Sequence, residues 1–152
     1  MADPISFTSA TPRYGIPFLF AGQAQKEFFV NEAHALIDLL LHPAIQNESD
    51  APPENREEGQ CWLVGSNPTG EWSGHEGKLA GWISGSWIFV APQDGVRLVD
   101  LSSNQFIFFS NGWQRADTPA IPSGGQIVDA EAREAIGHLI QSLRSAGILS
   151  AS

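Results

Sequence analysis

Two prolines and a glycine set just ahead of a long apolar-periodic run constrain this chain more than any other feature. The stretch TPRYGIPFLF, beginning at Thr11, leads straight into AGQAQKEFFVNEAHALIDLLL, ending at Leu41. Pro12 and Pro17 fix φ and remove backbone donors, and Gly15 adds freedom between them, so the chain is expected to run extended as far as Ala21. After Gly22 the pattern turns helical: Phe29, Ala33, Leu36 and Leu40 recur at steps of four, three and four and so share one face. Phe28, Ile37 and Leu41 widen that face beyond what one neighbour in a small domain needs. Pro43 stops the helix.

Downstream the period changes. Gln46 to Gln60 is polar with two adjacent prolines and reads as a linker. Short runs rich in aromatic and branched residues follow, Cys61 to Val64, Leu79 to Ile83, Trp87 to Ala91, Val96 to Leu101 and Gln105 to Ser110, each suited to a strand. Ser84-Gly85-Ser86, Gln93-Asp94-Gly95, Ser102-Ser103-Asn104 and Asn111-Gly112 separate or close them, so an antiparallel meander joined by tight turns is expected. Both faces of these strands are apolar, which implies burial on both sides. A second Pro/Gly-rich linker, Ala116 to Gly125, precedes a helix with Asp129 as N-cap, Glu131 and Glu134 in its first turn and Gly147 past its end. Ala132, Ile136, Leu139, Leu143 and Ala146 form a seam too short to be stable alone. It must pack on its own domain or on copies of itself.

The expected class is α+β: an extended N-terminal arm (residues 1–20), an amphipathic helix (21–45), a linker (46–60), an aromatic-rich antiparallel β domain forming a small sheet or sandwich (61–115), a second linker (116–128) and a C-terminal packing or oligomerisation helix (129–147). A hydrophobic fraction of 42% with 16% charged residues fits a folded chain. Seventeen acids against eight bases give a net charge of −9, which opposes binding to nucleic acid or an anionic membrane surface. No apolar run approaches the roughly 20 residues of a membrane span, and the first residues lack the pattern of a signal peptide. The single cysteine, Cys61, allows no internal disulfide, which fits assembly in a reducing cytoplasm.

Catalytic and metal chemistry find little footing. His34, His42, His75 and His138 are scattered, with neither an HExxH pair nor a Cys/His cluster, and Cys61 lies in an apolar run where a buried, inert thiol is expected. Glu71, Glu76 and Asp94, near turns beside tryptophans, are the carboxylates best placed for glycoside chemistry, but sequence reports no distances. No enzyme activity and no cofactor are expected. The five tryptophans offer another function: Trp72, Trp82, Trp87 and Trp113 are candidate glycan contacts, while core burial is the competing role for such large side chains.

The string TPRYGIPFLFAGQAQKEFFVNEA resembles the opening of a phage-virion family, domain of unknown function 2793, found in prophages and gene transfer agents of alphaproteobacteria. The shared pattern is carried by Thr11, Pro12, Arg13, Gly15, Pro17, Leu19, Gly22, Gln23, Ala24, Gln25, Lys26, Asn31, Glu32 and Ala33. A looser likeness continues to about Trp113. The resemblance implies a virion role, with assembly in the bacterial host cytoplasm. With the helix faces, it points to a base or connector of a tail fibre or head spike that works by binding and self-assembly as a trimer or pentamer. Pro12, Arg13, Tyr14, Pro17, Phe18 and Phe20 of the arm are expected to dock on other virion proteins. Phe28, Phe29, Leu36, Leu40, Ile136, Leu139 and Leu143 are expected at subunit interfaces. A carbohydrate-binding module contacting host polysaccharide through the Trp-rich turns is the alternative.

Overall fold

A computed structural model describes residues 9–19, 22, 26–125 and 129–151. Its elements are α1 (Glu27–Leu40), β1 (Ala44–Ile45), β2 (Glu48–Ser49), β3 (Cys61–Val64), a 3-10 turn (Gly70–Trp72), β4 (Leu79–Ile83), β5 (Ser86–Val90), β6 (Arg97–Asp100), β7 (Gln105–Phe109), β8 (Trp113–Gln114) and α2 (Ala130–Ser145). The class is α+β, with one helix before the strands and one after them. The strands form two sheets, ordered β2-β3-β4-β5 and β1-β6-β7-β8, in place of one continuous meander. The cause lies where the segment assigned to the helix (21–45) meets the one read as a linker (46–60). Ala44–Ile45 pairs parallel to β6 and Glu48–Ser49 pairs parallel to β3, so β5 and β6 are claimed by different sheets.

Two compact units result. One contains the described residues up to Pro43 with Glu48–Ala91; the other contains Ala44–Asn47 with the described residues from Pro92 onward. In the first unit, β3 is an inner strand and all four of its residues are buried, as its unbroken CWLV sequence requires. Cys61, Leu63, Leu79, Gly81 and Ile83 share one face of the sheet; Trp62, Val64, Ala80 and Trp82 share the other. α1 lies on the first of these faces. A Cβ on Gly81 would stand 2.7 Å from both terminal methyls of Leu39, so only glycine lets the helix approach this closely. The β4–β5 hairpin closes on Ser84 (φ 53°) and Gly85 (φ 71°). Both turn amides donate to Glu58, at 2.6 and 2.9 Å.

In the second unit, Leu98 and Ile107 make the sheet's buried face, and Phe106 and Phe108 alternate to the exposed one. The expected burial of both faces therefore fails for β7, where Phe106 and Phe108 are 43% and 45% exposed. α2 starts where its N-cap places it, with Ala132 N donating to Asp129 Oδ1 at 2.8 Å. After it the chain returns to β7. Phe106 N donates to Gly147 O at 2.6 Å, Leu149 is buried, and buried Gln105 donates to Ala116 O and Ile148 O at 2.7 and 3.0 Å.

Asp100, at the end of β6, is the buried carboxylate of this unit. It accepts from Ser102 N and Oγ at 3.0 and 2.6 Å and from Arg115 Nη1 at 2.5 Å. Burial pushes its pKa up, but the Ser102 hydrogen bonds and the Arg115 guanidinium together outweigh that and hold it below the usual carboxylate value. A lowered folded pKa adds stability above the unfolded value, near pH 4, and that stability drains away as pH falls through the folded value. We therefore expect Asp100→Asn to be less stable than wild type at pH 7 and the gap to close below about pH 4. Urea titrations at several pH values check this, and a gap independent of pH between about 2 and 7 would refute the linkage.

Candidate functional site

The arm is not free. Its described part folds into a tight loop, bridged between Ala10 and Pro17, with Thr11 N donating to Ile16 O at 2.9 Å. This loop is fastened along α1 by polar residues at helical spacing, Asn31, His34 and Asp38. Leu19 N donates to Asn31 Oδ1 at 2.8 Å, while Asn31 Nδ2 donates to Leu19 O at 3.1 Å. His34 Nδ1 lies 2.9 Å from Pro17 O. Asp38, with 0% of its surface exposed, accepts from Thr11 Oγ1 at 2.6 Å, Arg13 N at 3.0 Å and Tyr14 N at 2.7 Å. Arg13 then caps the helix, donating to the carbonyls of Asp38, Leu39 and His42 at 2.9, 2.8 and 3.0 Å. Those carbonyls have few intrahelical partners, and a cation there also complements the helix dipole.

Pro12, Arg13, Tyr14, Pro17 and Phe18 belong to a loop held by the chain's own helix, and Phe20 lies outside the described residues. His34 and Asp38, an i, i+4 pair, both serve the arm. The sequence signal was available in the period of Glu27, Asn31, His34 and Asp38, a polar stripe at steps of four, three and four. Amphipathic patterning alone would assign such a polar stripe to solvent.

The helix consequently turns a different face inward from the one the apolar spacing suggested. Ala35, Asp38 and Leu39 are buried; Phe28 and Phe29 are 71% and 72% exposed, and Ile37, Leu40 and Leu41 are exposed as well. Leu36 is half-buried. The two phenylalanines stack edge to face on each other at 5.8 Å. On α2, Ile140 is the one buried residue, Ile136 and Leu139 are 38% and 59% exposed, and Leu143 is half-buried. Every candidate interface residue thus retains accessible apolar surface.

The tryptophans sort differently. Trp72 is fully buried between Trp62, at 6.5 Å, and Trp87, at 5.2 Å, with Val64 and Ala80 in the same cluster. It has no surface to offer a sugar. Trp82 and Trp87 are half-buried and cross at 66°, and the Arg56 guanidinium covers Trp82 at 4.0 Å, so they form no coplanar platform. Trp113, in the second unit, packs edge to face on Phe109 at 5.3 Å.

Two of the carboxylates best placed for glycoside chemistry, Glu71 and Asp94, have local tasks. Glu71 accepts from Trp87 Nε1 at 3.2 Å, and Asp94 accepts from Asn111 N at 2.9 Å. Burial pushes the Cys61 thiol up to about 12, against the smaller lowering from the Arg13 charge and a backbone contact with Trp62, so it holds its proton at neutral pH. Among the described residues no group of three His, Cys, Asp or Glu side chains is placed to hold a metal ion. Nor is any described helix long and apolar enough to cross a membrane.

Comparison with family models matches residues 30–114 to a family described as "Protein of unknown function (DUF2793)", and comparison with curated proteins finds no match. The matched span holds Asn31, His34 and Asp38, most of α1 and all eight strands; it leaves out α2 and the string from Thr11 to Lys26. As the match covers more than half of the sequence, the chain belongs to this family of proteins of unknown function.

Proposed function

We propose that this chain is a structural protein of a phage or gene-transfer-agent virion, the base or connector of a tail fibre or head spike, acting by protein–protein binding and self-assembly. The observation that carries the reading is α2, a helix of 16 residues with Ile140 as its one buried side chain and an apolar seam left accessible. A helix of that length is marginal in water without a packed face, so burial against other copies supplies what its own unit does not. The exposed Phe29, Ile37 and Leu40 of α1 add a second apolar surface of the kind obligate assemblies cover. The virion setting rests on the resemblance of the segment from Thr11 to Ala33.

Size-exclusion chromatography with light scattering tests the reading. The wild-type chain is expected to run as a trimer or pentamer, and Leu139→Asp with Ile136→Asp to run at a smaller mass with the same far-ultraviolet circular dichroism. Both positions are accessible, so the charges do not enter a monomer core. A monomeric wild type, or a mass unchanged by the double substitution, would remove the basis for assembly through α2.

A further inference from the structure

The first unit's sheet ends on β5, with no strand beyond it among the described residues. Trp82 donates its N–H to Gln60 O at 2.9 Å and accepts from Gly59 N at 2.8 Å, both directed away from β5. The antiparallel pair Trp82–Trp87 is therefore a non-hydrogen-bonded one, and Trp87, with Phe89 two residues on, points its main-chain N–H and C=O out of the sheet. Nothing in Ser86–Val90 protects this edge, which lacks charge and proline alike. On the α1 side of the hairpin lies an open trough of about 710 Å³ lined by Phe18, Phe28, Ala35, Ile83 and Ile88. Its charged lining is purely acidic, Glu27 and Glu32.

We propose that this edge and trough accept an extended segment of a second protein as a fifth strand. Hydrogen-bond complementarity to Trp87 and Phe89 requires a strand, the trough requires apolar side chains at alternate positions, and Glu32, exposed at the rim, calls for a lysine or arginine. A second copy of this chain fits less well, because it would bring the same two glutamates to the seam between chains that each carry −9. The surface contains no residue of α2, so the proposal is tested by variants other than those that test assembly through that helix.

The test uses a fluorescein-labelled nine-residue peptide alternating valine with lysine and threonine, titrated by anisotropy against the full chain. Saturable binding is expected, about ten-fold weaker when the lysines are replaced by glutamate, with the preference reversed in Glu32→Lys. Methylation of the peptide amides on its bonding edge should abolish binding. No saturable binding of the lysine peptide, undiminished binding of the methylated one, or an unaltered preference in Glu32→Lys would each overturn the proposal. A dimer by light scattering that Ile88→Lys dissociates would overturn the choice of partner in favour of a second copy.

Discussion

Replacing Asp38 with alanine is expected to cost about 3 kcal/mol and to release the arm, because it strips the acceptor from one buried hydroxyl and two part-buried amides at once. Thr11 is itself buried, so its hydroxyl would lose its charge-assisted partner without gaining water. Arg13, positioned by the same carboxylate through its amide, would lose the geometry that lets it cap α1. Asparagine is expected to do little better, since its amide group would turn a donor toward donors. Urea unfolding followed by tryptophan fluorescence measures the stability, and tryptic cleavage after Arg13 reports the arm directly. A loss under about 0.5 kcal/mol with Arg13 still protected would show that the clamp is not what holds the loop.

Truncating Trp72 to alanine should cost more, about 3–5 kcal/mol, because the indole is fully buried and its removal opens a void at the centre of the Trp62–Trp87 cluster. Its ring packs nearly perpendicular to Trp87 and tilted against Trp62, contacts worth more than area alone. Its Nε1 has no hydrogen-bond partner among the described residues, so phenylalanine would sacrifice no bond and should cost well under half as much. Near-ultraviolet circular dichroism and urea midpoints of the two variants give the comparison. Equal costs for alanine and phenylalanine would mean that packing of this ring does not dominate the core. Glycan affinity retained in Trp72→Phe would have no bearing on this residue, which has no surface through which to bind.

The local grammar was legible along most of the chain. Asp129 and Gly147 bracket α2 because capping depends on a few adjacent residues, and the runs at Cys61, Leu79 and Gln105 become strands because their side chains and the turns beside them agree. Burial was less legible. Phe29 and Leu40 have helical spacing with apolar partners, yet they are exposed, since periodicity locates a face without saying which element covers it. Ala44–Ile45 and Glu48–Ser49 are too short to carry a strand signal, and their pairing with distant strands divides what otherwise reads as a single meander.

For the segment from Thr11 to Leu41, the sequence determined a non-helical, proline-bounded lead and a helix stopped before Pro43, because both follow from backbone sterics and short-range spacing. Only the tertiary structure decided that the lead folds back on the helix, that Asp38 is buried to receive it and that Arg13 closes the helix end. Those contacts join residues 24 to 29 positions apart. A buried carboxylate is tolerated only when the whole set of donors converges on it, and that convergence is a property of the folded arrangement, which no local pattern encodes.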